Sequence, residues 1–425
     1  MISMYNRSVE REKGFRREVE NMGQQNVQDR LEMKKLEMEH LSQFNELLRY
    51  VFQVTNQELH EVGWAEDEIE QAKRPVLRKA DVIGWFDGDK LISQMAVYPM
   101  NVNIFGEIYK MGGVTGVGTY PEYANFGLMH RLMRQSLKEM RDREQTISYL
   151  YPYSVPYYRR KGWEIISDVM TFSIKDTQLP ENVPVRGMVE RLDIEHEDVL
   201  KTYDRFAKNQ HVAMIRDSLA WEEYWRWERE EMIAAVYYDE ANEPQGFMYY
   251  WIADDIFHMK EMVYLTQEAR HGLWNFISAH FSMVTHVKGK MYTNEPIAFL
   301  MEDSDITETI HPYYMARIVD VEGFFKKYPF AEKKCDFHFV VTDALLEWNQ
   351  GVFAFRWNEG GELELSKEAQ GEAVAIDIQT LTTMFFGYKR PKYLLKNGRL
   401  SASNSVIKQL EKMIPNETPY FSDYF

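Results

Sequence analysis

Residues 82–174 carry an alternation of strand and helix patterns that restricts the fold more than any other feature of the sequence. β-Branched and aromatic residues flank a turn at residues 87–90 that contains Asp-Gly, which predicts a β-hairpin. A second hairpin is predicted around Gly106, and a strand over residues 112–119 follows it. A glycine-containing turn then leads into a helix, residues 128–140, whose apolar side chains recur three to five positions apart. Strands followed by a turn and a packed helix indicate an α+β domain.

The same pattern recurs more weakly in the middle of the chain, after Pro180 and Pro184, which indicate a linker. In this second copy we predict strands and helices at residues 199–206, 221–227, 233–238, 246–252 and 272–283. From residue 312 a third α+β pattern begins, with a helix from Met315 through Phe325, then four alternating strands and two further helices. Together with a helix predicted over residues 33–52, these changes predict four parts: a polar N-terminal extension (1–32) and domains at 33–175, 176–311 and 312–425.

Charge and cysteine content narrow the class of protein. The net charge is −16, which disfavours nucleic acid and anionic membrane surfaces as partners and favours neutral or cationic ones, although acidity can also serve solubility alone. Cys335 is the single cysteine, so no intramolecular disulfide is possible. The N-terminal residues are charged rather than apolar, and every 18-residue stretch contains a charge. We therefore predict a cytoplasmic protein that neither binds nor spans a membrane.

Most motifs of enzyme active sites are missing from the sequence. It contains neither a phosphate-binding P-loop nor a His-Glu-x-x-His or Gly-x-Ser-x-Gly motif. Four histidines between residues 258 and 286 have no carboxylate or thiol at a ligand spacing, so no metal site is predicted. The glycines at residues 112–118 resemble a dinucleotide-binding loop only superficially, because they lie within a predicted strand.

Residues 114–134 form the informative segment. A strand, a turn with Gly127 and an amphipathic helix together place the first backbone N–H groups of the helix where they can bind an anion such as a pyrophosphate. A strand, turn and helix without any ligand is an equally ordinary arrangement, and the geometry alone does not separate the two.

Three segments occur here in a recognisable order: Val117-Gly118-Thr119-Tyr120-Pro121-Glu122-Tyr123 with Gly127, then Ser148-Tyr149-Leu150-Tyr151-Pro152, then Tyr157-Tyr158-Arg159-Arg160-Lys161-Gly162-Trp163-Glu164. They resemble the GNAT acetyltransferases and, more closely, the Eis (enhanced intracellular survival) family. The segment from Met315 to Val321 looks like the start of that family's C-terminal domain, which resembles sterol carrier proteins.

The resemblance implies an α+β enzyme with two tandem GNAT-fold acetyltransferase domains, of which only the first binds acetyl-CoA, followed by a sterol-carrier-like (SCP2-like) domain. It also implies a homo-oligomer, a hexamer. It assigns acetyl-CoA binding to Val117, Gly118 and Thr119 in a strand and to Tyr153 and Ser154 after the next strand. The turn for the phosphates is assigned to Asn125, Phe126, Gly127, Leu128, Met129 and His130.

The catalytic residues implied by the resemblance are Tyr158 as general acid and the terminal carboxylate of Phe425 as general base. A phenol with a pKa near 10 is suited to protonate a departing thiolate. An α-carboxylate, with a pKa of about 3.3–3.7, is better suited to hold a cationic amine and to receive its proton once attack makes the nitrogen acidic. Because several tyrosines surround Tyr158, a packing role for this residue is the alternative.

The expected substrate is the amine of a polyamine, an aminoglycoside-like compound or a lysine-bearing peptide. Acidic residues in the first domain either attract such a cation or are simply solvated: Glu58, Glu61, Glu66 and Asp67. One departure from the family keeps a second hypothesis open. Ala124 stands where the phosphate turn usually has a cationic or amide side chain, although His130, Arg131 or Arg134 can compensate. The alternative is a non-catalytic ligand-binding or assembly protein whose acetyl-CoA site has decayed.

Overall fold

The computed structural model describes residues 29–55, 74–226, 230–293 and 295–425 as a chain of mixed α+β structure. The chain divides into two compact units. The first consists of the described residues up to Pro99 together with Val114–Glu139, and the second consists of Met100–Gly113 together with Met140–Phe425. Most of the predicted N-terminal extension and all four of the acidic residues discussed for the first domain lie outside the described residues.

The first unit begins with antiparallel strands. Strand β1 (Leu31–Lys35) pairs with β2 (Asp81–Asp87), whose other neighbour is β3 (Lys90–Ile104); helices α1 (Leu41–Phe52) and α2 (Arg74–Lys79) lie between β1 and β2 in sequence. The predicted hairpin is confirmed. The helix predicted from residue 33 is wrong in its first turns, because residues 31–35 pair as an edge strand and the α-helix begins only at Leu41.

Strand β4 (Glu107–Thr119) brings a glycine-rich face against α1. A β-carbon on Gly116 would lie 3.2 Å from Phe44 Cζ, and one on Gly118 would lie 3.0 Å from Val51 Cγ2. Gly116 also has φ of +61°, which L residues with side chains rarely adopt. These two glycines therefore let the helix approach the strand closely.

The end of β4 leads through a short 3₁₀ helix, Pro121–Phe126, into helix α3 (Leu128–Asp142). Gly127 lies between the two helices in the left-handed conformation, with φ of +69°. The predicted turn and helix are confirmed here, and the helix extends two residues further than predicted.

In the second unit, the first half of β4 pairs in parallel with β5 (Ile147–Leu150). Helix α4 (Val155–Arg159) and strands β6 (Glu164–Ile165) and β7 (Asp168–Lys175) follow. β7 pairs with later strands of the middle sheet.

The middle part of the second unit is built around a seven-stranded sheet. Its elements after β7 are β8 (Met188–Leu192), α5 (Glu197–Ala207), β9 (Met214–Ile215), α6 (Ser218–Trp225), β10 (Ile233–Tyr238), β11 (Pro244–Ala253), β12 (Ile256–Tyr264), α7 (Gln267–Ser278), β13 (His286–Met291) and β14 (Thr307–Pro312). The strand order is β14-β7-β13-β12-β11-β10-β8, and only β12 and β13 are parallel. β9 lies outside this sheet and pairs with β3.

The predictions for this middle part need correction in two respects. The sequence analysis missed five strands, namely β8, β9, β12, β13 and β14. It also started the helix at residue 272, whereas α7 begins at Gln267, because the side chain of Thr266 accepts a hydrogen bond from Ala269 N and caps the helix there.

The last part opens with strand β15 (Met315–Ile318), which pairs with β5 and β6. The helix predicted to begin at Met315 is therefore wrong for these residues. All four residues of β15 are buried, Arg317 included, so the strand lacks the alternation of exposed and buried residues and was mistaken for a helix. The remaining elements are α8 (Val321–Lys327), β16 (Phe337–Thr342), β17 (Gly351–Trp357), β18 (Leu363–Ser366), β19 (Glu372–Asp377), α9 (Ile378–Phe385), α10 (Pro391–Lys396) and α11 (Asn404–Met413).

Strands β16 to β19 form a four-stranded sheet in the order β18-β17-β16-β19, and phenylalanine rings fill the space between this sheet and its helices. Phe325, Phe355 and Phe385 lie at the centre, with the ring of Phe325 5.0 Å from that of Phe355 and 4.7 Å from that of Phe385, measured between centroids. Across the described ranges, no helix is both long and apolar enough to cross a bilayer.

Candidate active site

The strand segment assigned to acetyl-CoA is the second half of β4. Gly118 O accepts a hydrogen bond from Ser93 Oγ at 3.2 Å, and the hydroxyls of Ser93 and Thr119 lie 2.7 Å apart, so β3 fixes one side of this segment. On the other side, the pairing with β5 ends at Gly113, and residues 114–119 have no strand partner there within the described chain. Val117 and Thr119 are half-buried. This edge can therefore accept an extended molecule through backbone hydrogen bonds, as a sheet edge accepts a strand.

The residues assigned to the phosphates lie at the start of α3. Asn125, Gly127 and His130 are exposed, and the first turn of the helix contains no acidic residue. The helix start is held by the indole of Trp85, whose Nε1 donates to Leu128 O at 3.2 Å. The first backbone N–H groups of a helix and the positive end of its dipole make this a suitable place for phosphate oxygens.

Of the two arginines considered as substitutes for a cationic residue at position 124, Arg131 has a clear position. Its guanidinium lies over the ring of Trp85, 5.5 Å from the ring centroid. The positive charge therefore stays within the first turn of α3, beside the proposed phosphate site.

Tyr158 lies in helix α4, which begins directly after the segment that contains Tyr153 and Ser154. The Tyr158 N–H donates to Ser154 O at 3.2 Å, so these two residues belong to one helical turn, while Tyr153 is exposed. Tyr158 is 7% exposed and packs edge-to-face against Tyr157 and Trp163. Burial raises its pKa, so the phenol is protonated at neutral pH. Within the described residues its hydroxyl makes no hydrogen bond.

The chain after Tyr158 is held by residues from the last part of the protein. Arg159 binds Glu164 through Nε at 3.0 Å, and Arg399 Nη2 binds the same carboxylate at 3.0 Å. Gln379 Nε2 donates to Arg159 O at 2.7 Å, and the buried Arg317 donates to Lys161 O. Side chains from residues 317–399 thus fix the position of the helix that carries Tyr158.

Phe425 is buried, with 8% of its surface exposed. Its backbone N–H donates to Tyr314 Oη at 3.0 Å, and its ring lies against Gly113. Tyr424 packs against Tyr151 with ring centroids 5.3 Å apart. The C-terminal segment therefore lies at the carboxyl end of β5, the end from which the chain continues to Tyr158.

Sequence reasoning missed three charged residues, one in this segment and two that bind it: Asp423, Arg216 and Glu261. Arg216 follows β9, Glu261 lies in β12, and Asp423 precedes the last two residues. All three are buried and joined by ion pairs. An isolated arginine in a loop gives no pattern that predicts such a cluster. Within the described ranges, no group of three His, Cys, Asp or Glu side chains is arranged to hold a metal ion.

Comparison with protein families identifies the three parts. Residues 32–166 and residues 212–318 each match an acetyltransferase (GNAT) domain, and residues 321–422 match a sterol carrier protein domain. The predicted fold class, two tandem GNAT domains followed by a sterol-carrier-like domain, is confirmed. Both GNAT matches are to acetyltransferase domains, which supports the predicted enzyme class, an acyltransferase. GNAT domains imply acetyl-CoA as co-substrate.

The individual proteins that this chain resembles have low sequence identity to it. An uncharacterized N-acetyltransferase of Streptomyces avermitilis is 23% identical over 268 residues, which are 57% of this chain and 64% of that protein; the match thus spans less than two thirds of the relative. A protein of unknown function from Enterococcus faecalis, described as a probable N-acyltransferase, has a TM-score of 0.84 and 27% identity over 93% of this chain and 99% of its own. Eis1 from Mycobacterium abscessus has a TM-score of 0.76 and 17% identity over 93% of this chain and 100% of its own, and it shares the fold.

Proposed function

We propose that this protein transfers an acetyl group from acetyl-CoA to an amine of a cationic substrate, with Tyr158 as general acid and the terminal carboxylate of Phe425 as general base. The observation that carries the proposal is the burial of the last residue. Chain ends normally fray, whereas Phe425 is 8% exposed and is held by a backbone hydrogen bond to Tyr314 Oη. This burial and this hydrogen bond support a defined position for the residue whose carboxylate we propose as the base.

In the proposed mechanism, Val117, Gly118 and Thr119 bind the extended arm of acetyl-CoA through the open edge of β4. Asn125 to His130 hold the phosphates with backbone N–H groups, and Tyr153 and Ser154 add contacts after β5. Only the first GNAT domain binds acetyl-CoA. These assignments draw support from the unpaired strand edge and from a helix start without acidic residues.

The chemical step moves two protons. The amine nitrogen attacks the thioester carbonyl carbon, and the carbon–sulfur bond breaks. The proton lost by the nitrogen passes to the carboxylate of Phe425, while the departing thiolate takes the hydroxyl proton of Tyr158. Burial raises the pKa of this phenol and acts in the same direction on a thiolate held beside it, so the two groups remain matched for proton transfer.

We propose a cationic acceptor, such as a polyamine, an aminoglycoside-like compound or a lysine-bearing peptide. The net charge of −16 favours the approach of cations. In addition, Tyr151 and Tyr424 are about half exposed and face each other at the carboxyl end of β5, where their rings can attract an ammonium group. From the resemblance to the Eis family we further propose a cytoplasmic homo-hexamer, which mass measurement in solution will test.

The test of this function is thiol release from acetyl-CoA with a panel of polyamines, aminoglycosides and lysine peptides. We expect turnover with at least one cationic amine and a fall in kcat of about 10²-fold or more in Tyr158→Phe, the usual range for loss of a general acid. Tyr157→Phe, one residue earlier on the same helix, is the matched control and should retain its kcat. Turnover that is unchanged in Tyr158→Phe would show that the acid is assigned wrongly.

The alternative, a ligand-binding protein with a decayed acetyl-CoA site, rests on Ala124 in the 3₁₀ turn. Calorimetry with CoA distinguishes the two, since absence of binding at millimolar CoA would favour the alternative.

A further inference from the structure

The two parallel strands of the middle sheet separate part of the way along their length. Pairing between β12 and β13 ends at Met259 and Gly289, although β12 continues to Tyr264. Glu261 and Tyr292 lie just beyond the point of separation. In the first GNAT domain, parallel pairing ends in the same way at Gly113 of β4, and the strand segment proposed to bind acetyl-CoA begins just after it.

The opening between β12 and β13 is occupied by the chain's own C-terminal segment. Ser422 Oγ donates to Glu261 Oε1 at 2.6 Å, and the hydroxyl of Tyr420 contacts both Tyr292 and the same carboxylate oxygen. The Tyr420 N–H also donates to His211 O at 2.9 Å. The side chains of the segment are therefore bound at this opening, and its backbone is bound by His211.

Arg216 joins the strand to the segment. Its Nη1 and Nη2 bind the two oxygens of Glu261 at 3.0 and 3.1 Å, and its Nε binds Asp423 Oδ1 at 2.7 Å. The guanidinium lies between the rings of Tyr203 and Tyr224, with its Cζ 3.8 and 3.7 Å from their centroids. The fork of an arginine can serve two carboxylates at once in this way, which a lysine cannot.

The start of α7, the helix that follows β12, also differs from that of α3. Glu268 lies in its first turn and binds Arg186, whose backbone N–H and Nη2 donate to the carboxylate at 2.7 and 2.9 Å. A carboxylate at a helix start repels the phosphates that the acid-free start of α3 can accept. The second GNAT domain thus has a filled strand opening and an acidic helix start.

We propose that the second GNAT domain is a receptor for the last six residues of the chain, and that Arg216 and Glu261 are positioning residues for the carboxylate of Phe425. The receptor role follows from the contacts of Tyr420, Ser422 and Asp423. The positioning role rests on the proposed function, because it matters only if that carboxylate takes part in acetyl transfer. Only Tyr424 separates Asp423 from Phe425, so an anchored Asp423 limits how far the terminus can move.

The test is the release of Phe425 from the folded full-length chain by a carboxypeptidase that prefers aromatic ends. In Asp423→Lys, a second cation faces Arg216 in a buried place, so we expect the segment to leave and release to be at least tenfold faster than in the wild type. The body of the protein is unaltered and Arg216 keeps its pair with Glu261, so the fold is retained; circular dichroism will check this.

Two further variants make the result specific. Glu417→Lys carries the same charge reversal on an exposed residue three positions before this segment, and its release of Phe425 should stay within about threefold of the wild type. Ser422→Ala removes one hydrogen bond to Glu261 and should give an intermediate rate. Rates are normalised to those of the unfolded variants, which corrects for the preference of the protease.

The result that would overturn the receptor is release of Phe425 from Asp423→Lys at the wild-type rate. The role of Arg216 and Glu261 as positioning residues is tested separately, by measuring acetyl transfer on the same samples. We expect kcat of Asp423→Lys to fall at least tenfold while KM for acetyl-CoA changes little. Faster release with unchanged kcat would leave the receptor intact and refute the role of the terminal carboxylate.

Discussion

The ring of Phe425 lies directly against the backbone of Gly113, where a β-carbon would be only 2.8 Å from the ring atom Cε2. Gly113 is also the last residue of β4 that pairs with β5. Since β4 is fixed there, an added methyl group must move the ring rather than the strand. Glycine at this position is therefore what allows the end of the chain to lie where it does.

Gly113→Ala should lower kcat by at least about tenfold, because a displacement of a catalytic group by about 1 Å can cost 10²-fold in rate. Thiol release at saturating acetyl-CoA measures the effect. Gly360→Ala is the control: the nearest atom to its new β-carbon is Asn358 Oδ1 at 3.3 Å, so kcat should not change. Full activity in Gly113→Ala would mean that the position of Phe425 is unimportant.

His130→Glu should raise KM for acetyl-CoA several-fold with little effect on kcat. The substitution puts a negative charge in the first turn of α3, where the N–H groups are proposed to bind phosphate. Lys138→Glu, an exposed change of charge in a later turn of the same helix, is the matched control. An equal rise in KM for both variants would show that the effect comes from added negative charge anywhere on the helix and not from a charge at this site.

Glu164→Gln should reduce both stability and kcat. Glu164 is buried and its carboxylate binds Arg159 and Arg399, so loss of its charge removes the anion of Arg159 and leaves Arg399 only its longer pair with Asp377, at a cost of roughly 2–4 kcal/mol. Because Arg159 follows Tyr158, we expect kcat to fall more than KM rises. Thermal unfolding and steady-state kinetics measure the two effects.

The control for this substitution is Glu322→Gln, which breaks an exposed helical ion pair with Lys326 and should cost less than about 0.5 kcal/mol. If both variants unfold at the temperature of the wild type, the Glu164 network does not hold α4 in place.

The buried His211 should make the protein sensitive to acid. Burial lowers its pKa to about 3, and its ring is held by a hydrogen bond between Nε2 and Phe386 O. The unfolded chain takes up this proton near pH 6.5 and the folded chain does not, so the stability contribution is complete above pH 6.5 and declines as the pH falls toward 3. The decline is about 1.4 kcal/mol for each pH unit.

His211→Asn should be less stable than the wild type at pH 7, because the ring contacts are lost, but it should lose less stability on acidification. Between pH 7 and pH 5 the difference in that loss is about 2 kcal/mol. Thermal unfolding of both proteins at the two pH values measures it. Parallel decreases in the two proteins would show that another group is responsible for the sensitivity to acid.

Local patterns in the sequence predicted much of the fold. The hairpins around Gly88 and Gly106 were predictable because both turns need residues with positive φ, and Gly88, Phe105 and Gly106 adopt it. Helix α3 was predictable from its single apolar stripe. In contrast, all four residues of β15 are buried in the interior of its sheet, so no alternation of exposed and buried residues remains to mark it as a strand. β12 also lies in the interior of its sheet, and its alternation of half-buried and buried residues gives way to a run of three buried residues.

The candidate site was predictable only in its local parts. The strand, turn and helix around Gly127 are contiguous in sequence and could be recognised as one unit. The ion pairs of Arg216 join residues 45 and 207 positions apart, and only the folded topology brings them together. The same is true of the network that holds Arg159 through Gln379, 220 positions away.

The first compact unit is interrupted in the chain by Met100–Gly113, and both of its internal borders fall within strands, β3 and β4. A single recombination event between two genes can therefore not transfer this unit intact. Even two recombination events would join foreign sequences in the middle of β3 and β4, where each strand is hydrogen-bonded to its neighbours. We expect related genes to have diverged here by point substitution, and shuffling to be confined to segments that lie outside these two strands.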